Sequence, residues 1–400
     1  MSKTVFKAVI GKNFGDEGKG LATDFLCLQG TKNLVVRANG GAQSGHTVEV
    51  GTKRFVFHEL SSGSFRHADT YWADTYHPDL YKLAEEVDEF RAVSGFVPRI
   101  LSSEEAGITT ILDVILNMAF ETSRGVSRHG SCGMGIYETE LREQAGYKIT
   151  VGDVIKLGPE KLTEKLLDIR ENYSYMRLEK EKLILDSIPE YADLLTNDNV
   201  VINYATTVCN NARMVETVKS ERKLFQLYNQ VIFENGQGLL LDSECERFLP
   251  NVTGSRTGLV NVAKILENTG NSLDEVIYVS RSYVTRHGAG ELPCEFEASD
   301  IPGLITDVTN IPNEWQGSLR FAPHESVDEF VGPVKEDLLN LRKRPKVSLL
   351  LTHLNETDGN VMFKAESQSV EAFKTDKMIR EAFDNIYISY DRFAENIKKG

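Results

Sequence analysis

The N-terminal stretch constrains the fold more strongly than any other part of the chain. An apolar run, Val5–Ile10, predicts a buried strand, and Leu21–Leu26 predicts the first turns of a helix. Between them the chain reads Gly-Lys-Asn-Phe-Gly-Asp-Glu-Gly-Lys-Gly. A glycine-rich turn between strand and helix aims backbone N–H groups and the positive end of the helix at one point. The stretch therefore predicts an α/β fold that begins with an anion-binding loop.

This loop departs from the usual phosphate-loop spacing. Six residues separate Gly11 from Gly18, where the usual pattern has about four, and Gly20 replaces the hydroxyl residue that follows the lysine. Lys19 would supply a full positive charge to phosphates. Asp16 lies inside the loop, where a carboxylate repels phosphate unless it binds a metal or takes a proton during a reaction. The alternative interpretation is an acidic turn that binds nothing.

A second glycine-rich loop follows the next predicted strand, Leu34–Arg37, and reads Gly-Gly-Ala-Gln-Ser-Gly-His-Thr. In α/β proteins, ligands bind just beyond the carboxyl ends of the strands. Gln43, Gly45 and His46 are therefore candidate ligand-binding residues. A surface turn with a lone histidine is the alternative, and the pairing of two such loops weighs against it.

Together the two loops resemble the adenylosuccinate synthetase family, which carries G-D-E-G-K-G near its start and G-G-x-N-A-G-H-T after its second strand. Further matches lie in the glycine-rich loops that contain Ser131 and Cys132, Gln237, Thr257 and Arg286. The resemblance extends from about residue 5 to residue 392, and its motifs are closest up to residue 293.

The resemblance implies one large α/β domain over residues 1–400. We expect a mostly parallel central sheet of the phosphate-loop NTPase type, with a helical insertion at about 104–195, and a homodimer. From local patterns we also predict a helix over Pro78–Val87, a strand over Val200–Ile202 and a helix over 209–222.

The resemblance also implies a reaction and its residues. Asp16 would be the catalytic base, protonated His46 would stabilise the transferred phosphoryl group, and Lys19 would hold phosphates. Asp16 and the Gly45 carbonyl would bind Mg²⁺. The residues carried over for substrate and nucleotide binding are Gly15, Glu17, Gly18, Gly20, Gln43, Ser131, Cys132, Arg142, Gln237, Thr257, Arg286, Arg320 and Asn355.

Ser131 and Cys132 stand where the family has two threonines, and three further positions lie where the resemblance is weaker. Arg142 is the nearest candidate for the arginine by which a partner subunit reaches the substrate phosphate. Only Arg320 remains of an arginine-rich loop that captures the carboxylates of L-aspartate, and the stretch before it reads Asn-Glu-Trp-Gln-Gly-Ser-Leu. Asn355 stands where an aspartate reads guanine, which predicts weaker guanine selectivity and leaves ATP open as the phosphoryl donor.

The resemblance leaves three functions open. The first is a ligase that joins L-aspartate to IMP with a nucleoside triphosphate, ATP or GTP, and the presence of Asp16 favours it. The second is the same chemistry on GMP or dGMP with ATP, which gives 2-aminoadenylosuccinate. The third is a purine nucleotide sensor without catalysis.

The composition of the chain argues against several other functional classes and cellular locations. A net charge of −14 argues against a general nucleic-acid binder. The five cysteines are scattered without a CxxC pair, as is usual in a reducing compartment. No apolar run is long enough for a membrane span, and no signal-peptide pattern is present. We therefore expect a cytoplasmic protein that binds small molecules.

Overall fold

The computed structural model describes residues 3–125, 128, 130–305 and 317–400. Its centre is a ten-stranded sheet with the strand order β16-β15-β12-β9-β1-β8-β2-β5-β6-β7. All neighbouring strands in this sheet run parallel except the edge pair β15 and β16. The mostly parallel α/β fold that the sequence predicts is therefore confirmed.

The strands are β1 Val5–Gly11, β2 Asn33–Arg37, β3 His46–Val50, β4 Lys53–Phe57, β5 Asp69–Trp72, β6 Ile100–Ser103, β7 Val215–Val218, β8 Gln230–Gly238, β9 Glu275–Arg281, β10 Val284–Arg286, β11 Arg320–Ala322, β12 Lys346–Thr352, β13 Asn360–Val361, β14 Gln368–Ser369, β15 Asn385–Ile388 and β16 Lys398–Lys399. Three antiparallel pairs, β3 with β4, β10 with β11 and β13 with β14, stand outside the central sheet.

The helices are α1 Lys19–Gln29, α2 Leu83–Ser94, α3 Ile111–Arg124, α4 Ile136–Gln144, α5 Val151–Ile169, α6 Tyr175–Lys180, α7 Pro189–Thr196, α8 Asp198–Asn211, α9 Glu221–Phe225, α10 Val260–Thr269, α11 Val327–Leu338, α12 Val370–Thr375 and α13 Lys377–Ala382. No helix in the described ranges is both long and apolar enough to cross a membrane.

The inner strands are buried because helices cover both faces of the sheet. Every residue of β2, β8 and β9 is buried, as expected for parallel strands that are covered on both faces. A second core lies under helices α3 to α8, which fill the connection between β6 and β7. The division into one domain over 1–400 with a helical insertion at about 104–195 stays a prediction.

Three local predictions are wrong. Val200–Ile202 belongs to helix α8, because Val201, Ala205 and Val208 repeat at helical spacing and are buried. The predicted helix over 209–222 is divided, since α8 ends at Asn211 and the chain then forms strand β7. Helix α2 begins at Leu83, five residues later than the predicted helix start.

Candidate active site

A cleft of about 990 Å³ opens at the carboxyl edge of the sheet, where the loops after β1, β2, β8 and β10 meet. The predicted site residues that line it are Gly15, Asp16, Gln43, Gly45, His46, Ser131, Cys132, Gln237 and Arg286. Because β2, β8, β1 and β9 are consecutive neighbours in the sheet, their carboxyl ends necessarily lie together. Helices α3, α4 and α6 supply the opposite wall.

The glycine-rich loop after β1 is shaped by Glu17. This buried carboxylate accepts hydrogen bonds from the backbone N–H groups of Asn13 at 2.9 Å and Gly15 at 2.8 Å. Gly18 takes a left-handed conformation, with φ of 99°, and begins helix α1. Oε1 of Glu17 thus holds the loop in shape, and the nucleotide-binding role of Glu17 stays a prediction.

Lys19 lies beneath this loop and does not line the cleft. Its ammonium group donates to the Gly15 carbonyl at 2.5 Å, and burial lowers the pKa of the amine. Gly20 also lies inside, because a Cβ there would stand 2.8 Å from the Thr47 carbonyl oxygen. The small residue allows α1 to approach β3, which begins at His46. Gly20 therefore helps to position His46. Gly20 does not line the cleft, and its predicted contact with nucleotide stays a prediction.

Asp16 presents its carboxylate to the cleft. Its side chain is 25% exposed, and Oδ2 lies 3.4 Å from Nε2 of His287, which also lines the cleft. The Asp16 backbone carbonyl accepts a hydrogen bond from the buried guanidinium of Arg281 at 2.5 Å. An exposed carboxylate on a fixed backbone is the arrangement that a general base or a metal ligand requires.

His46 is held by a buried carboxylate on the neighbouring strand end. Its Nδ1 lies 2.8 Å from Oε1 of Glu234, and Nε2 has no hydrogen-bond partner among the described residues. Burial lowers the pKa of His46 to about 4, against the opposing pull of Glu234. Burial also acts to raise the pKa of Glu234, but His46, Arg37 and the hydrogen bond from Ser62 together outweigh burial and lower that pKa to about 2. Without ligand, His46 is therefore neutral with Nδ1–H on Glu234, and the buried Nε2 is left with an unused hydrogen-bonding capacity at the cleft wall.

Gln237 is oriented by Asn39, which links the ends of β2 and β8. The Asn39 amide donates to Gln237 Oε1 at 3.3 Å, and Asn39 Oδ1 accepts from the Gly236 N–H at 3.0 Å. This arrangement leaves the Gln237 Nε2 group to donate into the cleft, as a ligand carbonyl or phosphate would require.

Ser131 and Cys132 stand on the opposite side of the cleft. The Ser131 hydroxyl donates to Asn117 Oδ1 at 2.9 Å, and burial raises the pKa of the Cys132 thiol. The Gly130 N–H donates to Glu121 Oε2 at 3.1 Å, so α3 supports this loop. These contacts place both predicted residues at the cleft.

Arg142 lies away from the cleft lining, and its predicted contact with a phosphate of the partner subunit stays a prediction. Its side chain is fully buried in α4, pairs with Asp113 at 2.8 Å and donates to the carbonyls of Tyr147 and Ile108. Its donors are occupied inside its own chain, so it cannot reach a phosphate of a second subunit without breaking a buried ion pair.

Three more predicted residues lie outside the cleft lining. The Arg320 guanidinium pairs with Glu295, with Nε 2.9 Å from Oε1, and Thr257 is tied to Asp242 through its backbone N–H at 2.6 Å. Asn355 is exposed in the turn after β12. Internal carboxylates occupy Arg320 and Thr257 in this structure, and their roles as direct ligand contacts stay predictions. Residues 313–316, from the stretch before Arg320, lie outside the described residues.

The site also contains residues that the sequence interpretation missed. Glu234, Asn39 and His287 each touch a predicted site residue. A polar side chain at the end of a buried strand is the signal that would have found Glu234 and Asn39. His287 occupies a position where the family motif has valine, so the motif gave no signal for it.

The cleft suits a metal ion that takes most of its ligands from substrate. Within the described ranges, no three His, Cys, Asp or Glu side chains are grouped to hold a metal on their own. Mg²⁺ usually binds one or two carboxylates and completes its shell with phosphate oxygens and water. Asp16 and Gly45, which both line the cleft, fit that incomplete set.

His77 anchors the second glycine-rich loop through its backbone, which donates to the Gly40 carbonyl at 2.8 Å. Its ring lies between Glu140 at 3.1 Å and Glu143 at 3.5 Å. Burial acts against the charged form, but the two carboxylates prevail and raise the pKa of His77 from 6.5 to about 9. The loop that carries His46 thus rests on a buried imidazolium.

This imidazolium predicts a pH dependence of stability. Because the folded-state pKa is the higher one, its contribution is complete below pH 6.5 and is lost as the pH rises through 9. The shift corresponds to about 3 kcal/mol of unfolding free energy. Denaturant unfolding of the His77→Gln variant should show lower stability than wild type at pH 6 and a difference that shrinks by pH 10. A difference that is independent of pH would contradict the charged state.

Comparison with known proteins identifies the family of this chain. Residues 8–320 match the family model described as adenylosuccinate synthetase. The adenylosuccinate synthetase of Synechocystis is 31% identical over 294 residues, which are 72% of this chain and 62% of that protein. The enzyme of Trichodesmium erythraeum is 30% identical, over 75% of this chain and 65% of that protein. The matched part therefore spans less than two thirds of these relatives' own length.

Two solved structures share the fold. The fully ligated adenylosuccinate synthetase of Plasmodium falciparum superposes with a TM-score of 0.71 at 17% identity, over 100% of both chains. The succinoaminodeoxyadenylate synthetase of cyanophage S-2L, bound to dGMP and dATP, superposes with a TM-score of 0.62 at 14% identity, over 99% of this chain and 95% of that one. Since the family match spans both glycine-rich loops and the cleft residues that follow them, this chain belongs to the adenylosuccinate synthetase family.

Proposed function

We propose that this protein is a carbon–nitrogen ligase that joins L-aspartate to C6 of a purine nucleoside monophosphate. IMP is the favoured substrate, and adenylosuccinate is the product. The observation that carries this proposal is the meeting of Asp16, His46 and Gln237 in one cleft. Its volume of about 990 Å³ lies at the upper end of the range of about 300–1,000 Å³ for single-ligand pockets, as a site for several reactants requires.

In the first step, the Asp16 carboxylate takes the N1 proton of the purine. The electrons released to the 6-oxygen allow it to attack the γ-phosphorus of the triphosphate, and the bond to the leaving diphosphate breaks. Bound Mg²⁺, held by Asp16 and Gly45, would neutralise charge on the phosphates. In the second step, the amine attacks C6 and the phosphorylated 6-oxygen leaves as orthophosphate.

His46 supports the phosphoryl transfer through Nε2, which lacks a partner in the described chain. A phosphate at this point would place negative charge beside the ring and raise the pKa of His46 from its low unliganded value. The imidazolium would then donate to the phosphate from Nε2 and to Glu234 from Nδ1. Such donors stabilise charge that develops in the transition state.

The amine donor is the least constrained reactant. The Arg320 guanidinium is paired with Glu295. The Arg286 guanidinium lines the cleft, and its central carbon lies 4.5 Å from the centre of the Phe14 ring. Burial lowers the pKa of Arg286 to about 10, so it remains charged at neutral pH. Its NH1 and NH2 groups donate to the carbonyls of Glu291 and Asn251, both at 2.6 Å, whereas the Nε group has no hydrogen-bond partner among the described residues. We therefore assign one carboxylate of L-aspartate to the Nε group of Arg286. We also propose that the protein is a cytoplasmic homodimer, as its family suggests.

A second candidate is the same chemistry on GMP or dGMP with ATP, which gives 2-aminoadenylosuccinate. One structure of this fold is bound to dGMP and dATP, so the fold accommodates these ligands. Asn355 favours ATP, whereas Asp16 favours a purine without a 2-amino group. A candidate of another class is a nucleotide sensor without catalysis, which would bind the same ligands and release no product.

A product assay separates these candidates. The protein is incubated with magnesium, L-aspartate, ATP or GTP, and IMP, GMP or dGMP in all combinations, and nucleotides are measured by mass spectrometry. We expect a succinylated product from IMP with ATP. Product from GMP or dGMP would support the second candidate. Nucleotide binding without product in any mixture would overturn the ligase and leave the sensor.

A further inference from the structure

A buried chain of side chains connects Asp16 to the turn after β12. Arg281, at the carboxyl end of β9, donates from Nε to the Asp16 backbone carbonyl at 2.5 Å. Its NH1 group donates to the Tyr283 hydroxyl at 3.0 Å, and that hydroxyl donates to Oε2 of Glu356. Each of these three side chains is buried, so water does not compete for their hydrogen bonds.

The far end of this chain is itself fixed. The Glu356 backbone N–H donates to the His353 carbonyl at 3.1 Å, and its own carbonyl accepts from Gly303 at 2.8 Å. A parallel connection runs from Thr352, whose hydroxyl donates to the Glu17 carbonyl at 2.8 Å. Two consecutive carbonyls of the glycine-rich loop are therefore held, that of Asp16 from the end of β9 and that of Glu17 from the end of β12.

This arrangement addresses a physical problem of the loop. Its glycines remove the side chains that would otherwise restrict the backbone, yet a base must stand within hydrogen-bond distance of the proton it takes. The Asp16 carboxylate is partly exposed and contacts His287 at 3.4 Å, which is long for a hydrogen bond. Its aim therefore depends on the backbone that carries it.

We propose that Arg281 is a positioning residue for Asp16, and that Tyr283 and Glu356 hold its guanidinium in the orientation that fixes the Asp16 carbonyl. The inference rests on the proposed function, because it concerns the base of that reaction. The planar guanidinium serves both contacts at once, since Nε and NH1 donate in different directions. Neither Tyr283 nor Glu356 lines the cleft, so both act through Arg281.

The test compares two buried tyrosines. Tyr283→Phe removes the hydroxyl between Arg281 and Glu356. Tyr278→Phe is the matched control, because Tyr278 is also fully buried and donates to a carboxylate, that of Asp337, at 2.8 Å away from the cleft. We expect similar losses of thermal stability in both variants. Only Tyr283→Phe should lower kcat, by about 10- to 100-fold with little change in KM, because misplaced catalytic groups have effects of that size.

A second pair of variants tests the same connection. Glu356→Gln keeps an oxygen that accepts from the Tyr283 hydroxyl and should retain most of kcat, whereas Glu356→Ala should resemble Tyr283→Phe. Equal kcat values for the two tyrosine variants, or for the two Glu356 variants, would overturn the inference. If Tyr283→Phe does not fold, the Glu356 pair decides.

Amide hydrogen exchange separates this inference from the reaction itself. Faster exchange over residues 13–18 is expected in Tyr283→Phe and not in Tyr278→Phe, whether or not product forms. Wild type without product in any mixture would refute the proposed function, while unchanged exchange in Tyr283→Phe would refute the positioning role.

Discussion

The Asp16→Asn variant is expected to lose product formation by at least about 100-fold in kcat, because a general base contributes about 10²–10⁴-fold. The amide has the same shape as the carboxylate but cannot take the N1 proton, and it is a weaker ligand for magnesium. The Asp16 backbone would keep its hydrogen bond to Arg281, so the loop should retain its conformation. Purine monophosphate binding, measured by calorimetry, should therefore be largely preserved.

The matched control is Glu181→Gln, which removes the same charge from the opposite wall of the cleft. The Glu181→Gln variant should keep most of its activity, because Glu181 pairs with Arg177 and takes no part in the proposed proton transfer. Product formation by Asp16→Asn at the wild-type rate would refute the assignment of the base. Equal losses in both variants would indicate a general effect of charge.

The second large effect is expected at His46. His46→Gln should lower kcat by about 10²–10³-fold, the effect of removing one donor to developing charge. It should also destabilise the fold by about 1.5–3 kcal/mol, because the buried Glu234 carboxylate would lose the hydrogen bond that the neutral His46 ring donates to it. The hydrogen bond that the Ser62 backbone N–H donates to Oε2 of Glu234, at 3.2 Å, would remain.

A double variant separates catalysis from stability. His46→Gln with Glu234→Gln removes both members of the buried pair, so unfolding measurements should show recovery of much of the lost stability. Activity should not recover, because the donor to the phosphoryl group is still absent. Recovery of activity together with stability would show that His46 has only a structural role.

The sequence predicts the sheet well because parallel strands are buried on both faces. Continuous apolar runs identify β1, β2, β8, β9 and β12, and glycine-rich loops mark the carboxyl ends of β1, β2 and β8. The errors fall where local pattern and tertiary packing disagree. Val200–Ile202 has the β-branched composition of a strand, but burial at helical spacing places it in α8.

The sequence predicts only part of the site. Motifs identify the loops, but they do not identify the side chains with which each loop residue pairs. The two glycine-rich loops bring Asp16 and His46 to one cleft, as expected. Whether an arginine faces a ligand or an internal carboxylate depends on distant residues. Asp113 pairs with Arg142, and Glu295 pairs with Arg320, and neither pairing is visible in a local pattern.

The central claim is that the purine 6-oxygen is activated by phosphorylation, and isotope transfer tests it most directly. The substrate is IMP labelled with ¹⁸O at the 6-position, with magnesium, L-aspartate and the triphosphate that supports product formation. Mass spectrometry of the released orthophosphate should find one ¹⁸O atom for each molecule of product. Product accompanied by unlabelled orthophosphate would contradict the account, because the 6-oxygen would then have left by another route.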